Sequence, residues 1–127
     1  MPERLYLVTR ADLPAGDQAV QAAHALTEFL VEHPEVARDW HDRNNTLAFL
    51  VVPDERSLAR LLDRAFDRDV RASAFREPDL NGSLTAIAIE PTGSKLVRSC
   101  PLALQNVSIS NLEHGASERP PMEDRCR

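Results

Sequence analysis

His24, a histidine within a helical pattern, is the residue of this sequence best suited to proton transfer. An imidazole exchanges a proton near neutral pH, so His24 is suited to act as a general base towards water. Small alanines at positions 19, 22, 23 and 25 border it and leave room for a bulky partner. The pattern indicates either a proton-transfer site or a solvated helix face. The polar stripe itself follows helical steps of four, three and four and comprises Asp17, Gln21, His24 and Glu28.

The polar loop 76–82 and Thr85 offer groups that would complement such a base. The loop joins two predicted strands, and strand ends are where a rigid sheet presents chemistry. An acidic side chain there, Glu77 or Asp79, can orient the histidine or a water molecule. Thr85 or Asn81 can donate a hydrogen bond to a developing oxyanion. A capped turn is the alternative interpretation of the same residues.

Several kinds of chemistry lack their motifs in this chain. The four glycines form neither a GxGxxG pattern nor a Walker loop, which disfavours dinucleotide and ATP enzymes. There is no GxSxG elbow and no histidine or carboxylate spacing typical of a metal hydrolase. The two cysteines, Cys100 and Cys126, form no CxxC pair, so neither a zinc site nor a disulfide framework is predicted. We therefore expect chemistry without a metal or cofactor.

Length and charge restrict the class of protein further. The 127 residues are the size of one domain. Apolar runs fall far short of the roughly 20 residues of a membrane helix, and the N-terminus lacks the apolar stretch of a secretory signal, so we expect a cytoplasmic protein that does not bind a membrane. The net charge of -5 opposes nucleic-acid binding by bulk electrostatics. Any RNA contact must come from a local patch of arginines.

The order of strand and helix patterns predicts an α/β domain. Strand, helix, strand, helix, strand, strand makes a single four-stranded mixed sheet with helices packed on both faces. The second strand is continuously apolar, which favours a central position in the sheet. The predicted strands are 4–10, 46–52, 70–75 and 84–89.

Apolar residues at helical spacing predict the intervening helices. The first runs from Asp17 to about Val31 and ends before Pro34, and a short second helix is predicted at 36–41. Asp54 is the predicted N-cap of the next helix. Beyond residue 104 the sequence is polar and without a period. We therefore predict a domain at 1–104 and a C-terminal tail at 105–127 that is disordered or rests on the surface.

Three segments resemble the class II peptidyl-tRNA hydrolases. Asp12-Leu13, Gly16 and Gln-Ala-Ala-His-Ala at 21–25 are similar to the family's opening, where an Ala-rich helix carries Gln-x-x-His-Ala. Phe-Arg-Glu-Pro-Asp at 75–79 resembles the family's Arg-Asp-Ala-Gly loop. Leu-Thr-Ala-Ile-Ala-Ile-Glu-Pro at 84–91 resembles its closing strand, Leu-Thr-x-x-Ala-Ile-x-Pro. The three occur in the family's order, and the resemblance covers about residues 4 to 104.

This resemblance implies hydrolysis of the ester that joins a peptide to the 3' end of tRNA. It also implies a fold of four mixed strands with helices on both sides, often in a homodimer. Gln21 and His24 fall on the helix motif, and Thr85 falls on the closing-strand threonine. Two residues compete for the family's loop aspartate, because Glu77 follows an arginine as that aspartate does, whereas Asp79 is itself an aspartate.

One departure from the family concerns the charge at the helix opening. The family places lysines there, whereas this chain has Asp17 in a loop about two residues shorter. The only lysine of the chain, Lys95, lies far along the sequence. Arg10 or Arg76 is therefore the expected replacement for a cation that holds a phosphate.

These observations lead us to expect an esterase acting on peptidyl-tRNA or a related acyl-tRNA. His24 and an acidic loop residue would activate water, and Thr85 would polarise the ester carbonyl. A non-catalytic module that binds tRNA or a protein on the same fold is one alternative. The other is an acyl-tRNA-dependent transferase that uses an amine in place of water. The expected substrate-binding residues are Arg10, Asp17, Gln21, Arg76 and Asn81.

Overall fold

Four strands form one mixed sheet in the computed structural model, which describes residues 3–105. They lie in the order β2-β1-β4-β3, with β1 parallel to β2 and antiparallel to β4, and with β3 antiparallel to β4. This arrangement confirms the predicted α/β fold. The strands are β1 (Arg4–Arg10), β2 (Thr46–Val52), β3 (Ala72–Glu77) and β4 (Ser83–Ile89).

Helices cover both faces of this sheet, as predicted. Helices α1 (Ala15–Glu32) and α2 (Pro34–Arg43) pack on one face, here called the α1 face, and α3 (Glu55–Asp67) packs on the other, the α3 face. Side chains of β1 alternate between them, because successive residues of a strand point to opposite sides. The α1 face is lined largely by alanines of α1 and β4, which lets the helix lie close to the strands.

The helix boundaries follow from local capping. Pro34 occupies the start of α2, where a proline costs no helical hydrogen bond, so this helix is longer than the predicted 36–41. Asp54 caps α3 as predicted, since its carboxylate accepts a hydrogen bond from the Ser57 backbone at 2.9 Å. That bond is the main cause that lowers the pKa of Asp54 below its usual value.

Strand β2 lies at an edge of the sheet, so its predicted central position was wrong. Leu47 is 46% exposed. The chain itself covers part of this edge, because Val51 N donates to the Pro101 carbonyl at 3.0 Å and Ala103 N donates to the Phe49 carbonyl at 2.8 Å. The apolar run of β2 reflects packing on its two faces and does not reveal which strands flank it.

Strand β3 begins and ends two residues later than predicted. Val70 N donates to the Ala65 carbonyl at 2.9 Å and so closes the end of α3 instead of starting a strand. At the other end Glu77 pairs with Ser83. The polar loop is consequently reduced to a short 3₁₀ turn, Pro78–Leu80, and the two residues after it.

The last described segment contains a 3₁₀ stretch at Pro91–Val97 and the short pairing with β2. Nearly all of the predicted tail at 105–127, including Cys126, lies outside the described residues. Within residues 3–105, no helix combines the length and apolarity needed to cross a membrane.

Candidate functional site

The predicted site residues gather at one end of the sheet, here called the loop edge. At this end β1, β2 and β3 terminate and β4 begins. Helix α1 follows β1 directly, so its first turns lie at the same edge and run back down the sheet. The arrangement brings the helix motif and the closing-strand motif of the sequence within reach of each other.

Thr85 owes its orientation to a β-bulge in β4. Phe75 pairs with Ala86, yet the next residue of β3, Arg76, pairs with Leu84, so Thr85 has no partner in β3. An extra residue of this kind interrupts the alternation of side chains, and Thr85 consequently faces α1. The Thr85 carbonyl accepts a hydrogen bond from Thr9 Oγ1 at 2.8 Å, which satisfies a polar group at the irregularity.

The Thr85 hydroxyl joins helix α1 to the sheet. It donates to Gln21 Oε1 at 2.7 Å and makes a longer contact of 3.2 Å with the Phe75 carbonyl. Both side chains are buried, with 0% of Thr85 and 7% of Gln21 exposed. Of the two interpretations of the polar stripe, a solvated helix face does not hold for Gln21. Because its oxygen is bonded inside the protein, the amide NH₂ is the part of Gln21 that remains for a ligand.

Direct contact between Thr85 and an ester carbonyl, which the sequence led us to expect, does not fit this placement. The residue is fully buried, and its single hydroxyl proton is directed to acceptors of the protein itself. The Thr85 hydroxyl instead binds the amide oxygen of Gln21 from the sheet.

His24 lies one helical turn after Gln21 and is exposed. Its ring stacks on the ring of Phe75, with centroids 4.3 Å apart and planes inclined by 9°. The same residue of β3 thus contacts Thr85 through its carbonyl and His24 through its side chain. Within residues 3–105, the histidine rings that form hydrogen bonds are those of His33 and His41.

The two candidate acids are placed differently. Glu77 is half-buried at the end of β3, two positions after Phe75, and strand alternation puts it on the same face, roughly 7 Å further along the strand. Asp79 is exposed in the 3₁₀ turn. Asn81 follows in a left-handed conformation with φ 58°, and its side chain is exposed. Neither carboxylate is hydrogen-bonded to His24 in the described part of the chain.

Arg10 is held by its own chain. Its guanidinium donates to both carboxylate oxygens of Asp12, at 2.9 and 3.0 Å, and to the Leu84 carbonyl at 3.1 Å. The hydrogen bond with Asp12 is the main cause that raises the pKa of Arg10. Alternation along the strands puts both Arg10 of β1 and Arg76 of β3 on the α3 face. It is therefore the pairing with Asp12, and not the face, that makes Arg10 a poor replacement for the family's lysine.

Arg76 and Asp17 are both exposed at the loop edge. Among the described residues Arg76 forms no ion pair, which makes it the more available of the two nominated cations. Asp17 lies in the first turn of α1, where a carboxylate interacts favourably with the helix N-terminus. Its negative charge is thus compatible with the helix but unfavourable to an approaching phosphate.

Other parts of the described molecule offer less chemistry. No three His, Cys, Asp or Glu side chains within residues 3–105 lie close enough together to hold a metal ion. An apolar groove of about 640 Å³ lies between α1, α2 and β2 and is lined in part by His41 and Asp42. These two side chains are paired at 3.2 Å but are 63% and 61% exposed. We assign the candidate site to the loop edge, where polar groups are buried and bonded.

Two contributors to the site were not identified as such from the sequence. Phe75 was used only as part of a loop motif, although an aromatic residue directly before a polar loop is a candidate for packing against a helix. Thr9 follows the apolar run 5–8 of β1, and a buried threonine at such a position needs a hydrogen-bond partner. The bulge that connects them depends on pairing between strands, and the sequence carries no local signal for it.

Comparison with known proteins gives a family and a structural relative. The family described as Peptidyl-tRNA hydrolase PTH2 matches residues 4–106 of the chain. No curated protein is significantly similar. A solved structure of a protein of unknown function from Agrobacterium tumefaciens strain C58 has a TM-score of 0.60 at 12% identity, covering 80% of this chain and 98% of that one. At this identity the likeness shows the fold alone.

Proposed function

The chain belongs to the peptidyl-tRNA hydrolase PTH2 family, and we propose that it hydrolyses the ester bond between a peptide or other acyl group and tRNA, releasing free tRNA. The observation that carries the proposal is the connected set at the loop edge. Gln21 and His24 of α1 meet Thr85 of β4 and Phe75 of β3. These contacts bring together residues from separate segments that resemble the family.

In the proposed reaction His24 acts as general base. It takes a proton from a water molecule, whose oxygen attacks the ester carbonyl carbon. The bond between that carbon and the ribose oxygen then breaks, and the protonated imidazole returns the proton to the leaving oxygen. Gln21 donates a hydrogen bond from its NH₂ group to the developing oxyanion, in an orientation fixed by Thr85.

Glu77 is the acidic loop residue that we assign to the reaction. It shares the face of Phe75 and is half-buried, whereas Asp79 is exposed in the turn beyond it. A carboxylate at the end of β3 is suited to orient the attacking water above the stacked imidazole. Glu77→Gln is therefore expected to lower kcat more than Asp79→Asn.

Release of a labelled peptide from peptidyl-tRNA tests the function. We expect the parent protein to release the peptide and His24→Ala to do so about 10²- to 10⁴-fold more slowly, since that is the usual contribution of a positioned base. His41→Ala is the matched control, because this exposed histidine on α2 lies away from the loop edge. Release by His24→Ala at the parent rate would contradict the assignment.

A non-catalytic module that binds a tRNA end or a protein is the second candidate. The pairing of Arg10 with Asp12 and the exposed carboxylate of Asp17 reduce the positive charge offered to a phosphate, which favours a protein partner for such a module. Binding of tRNA without release of the peptide would support it.

An acyl-tRNA-dependent transferase would instead form an amide when an acceptor amine is added. The homodimer and the cytoplasmic location stay predictions.

A further inference from the structure

Among the described residues, the contact that orients the His24 side chain is with the aromatic ring of Phe75. Its ring lies nearly parallel to that of Phe75, at 4.3 Å between centroids and 9° between planes. The hydrogen bonds found there for histidine rings belong to His33 and His41. An exposed side chain on a helix ordinarily samples several rotamers, so contact with a fixed ring is what restricts this one.

Phe75 is itself held on three sides. Its backbone pairs with Ala86 of β4, and its carbonyl contacts the Thr85 hydroxyl at 3.2 Å. Its ring packs against the buried cluster of the α1 face. Because the Phe75 ring is fixed in this way, the imidazole that stacks on it has a defined position relative to the sheet.

We propose that Phe75 is the positioning residue for His24, a statement that rests on the proposed function. Stacking engages one face of the imidazole and does not engage either ring nitrogen. One nitrogen can then accept a proton from water while the other remains solvated. A carboxylate partner would instead occupy one nitrogen, so the stack replaces the acidic residue that holds the histidine in many hydrolytic sites.

The test compares Phe75→Leu, which removes the ring but keeps an apolar side chain, with Phe75→Tyr, which keeps the ring. We expect kcat for peptidyl-tRNA to fall about 10- to 100-fold in Phe75→Leu with little change in KM, because a displaced base loses rate and not substrate affinity. Phe75→Tyr is expected to stay near the parent. In a His24→Ala background, Phe75→Leu is expected to cause no further loss of rate.

A spectroscopic readout separates this proposal from the proposed function. Stacking places the carbon-bound ring protons of His24 over an aromatic face, so their NMR signals are expected upfield in the parent and in Phe75→Tyr. The shift is expected to disappear in Phe75→Leu at unchanged far-UV circular dichroism. Unchanged His24 signals in Phe75→Leu would overturn the positioning proposal alone.

Kinetics distinguish the remaining outcomes. A further fall in rate when Phe75→Leu is added to His24→Ala would show that the ring acts on general structure, and it would overturn the positioning role. No release by the parent protein would overturn the proposed function and the catalytic meaning of the stack with it, while the upfield signals would still be observed.

Discussion

Thr85 carries a buried hydroxyl whose contribution to stability depends on its acceptors. A net intramolecular hydrogen bond contributes only about 0.5–1.5 kcal/mol, because the unfolded chain bonds to water instead. A buried polar atom left without its partner costs about 1–3 kcal/mol. Thr85 and Gln21 therefore stabilise the fold most when both are present. Each residue limits which side chains can replace the other.

Thr85→Val is expected to lower the free energy of unfolding by about 1–3 kcal/mol, since the nearly isosteric valine leaves Gln21 Oε1 buried without a donor. Gln21→Leu is expected to be less destabilising, because the Thr85 hydroxyl can still donate to the Phe75 carbonyl. The double variant removes both polar partners, so it should be less destabilised than the sum of the two single variants. Urea denaturation measures all three. Strict additivity would show that the two side chains are not coupled.

Helices, strands and caps are specified by the sequence far better than the contacts between strands. The start of α3 was predictable, because Asp54 and the leucines after it form a local pattern of cap and period. The mixed sheet followed from the order of such patterns. The edge position of β2, the bulge at Thr85 and the ion pair of Arg10 were not predictable, since each depends on which strands are neighbours and in what register.

The spatial grouping of the candidate residues was predictable to a similar degree. The resemblance selected Gln21, His24 and Thr85, and the structure brings them into one connected set through Phe75. It did not reveal that Thr85 is buried behind Gln21. A motif fixes which residue types occur at which spacing, whereas a one-residue bulge decides which of them faces the helix.

The segment at residues 101–103, which bonds to the edge of β2, is expected to contribute to the stability of the fold. A truncation after Leu104 should leave the melting temperature unchanged, because the described contacts of the sheet are all retained. A truncation after Cys100 should lower it by about 4 °C or more, since Val51 N and the Phe49 carbonyl lose their partners and the edge of β2 is exposed. Differential scanning calorimetry compares the two. Equal melting temperatures would show that the segment contributes nothing to the fold.

The protein as a whole is acidic, yet its proposed substrate is a polyanion. The net charge of -5 repels tRNA at long range, so binding requires a local cation that the protein has not already neutralised. Arg10 is neutralised by Asp12 and bonded to Leu84. Arg76 is exposed at the loop edge, and among the described residues it has no acidic partner within ion-pair distance.

Arg76→Ala is accordingly expected to weaken tRNA binding and to reduce the slope of log affinity against log salt by about one. Arg38→Ala removes the same charge from α2, which leads into the opposite end of β2, and is expected to leave binding nearly unchanged. Arg10→Ala should chiefly lower the melting temperature, because it breaks bonds within the protein. Fluorescence anisotropy with labelled tRNA between about 50 and 200 mM salt measures the affinities. Equal losses in Arg76→Ala and Arg38→Ala would indicate a net-charge effect, and binding insensitive to salt would argue against contact with phosphates altogether.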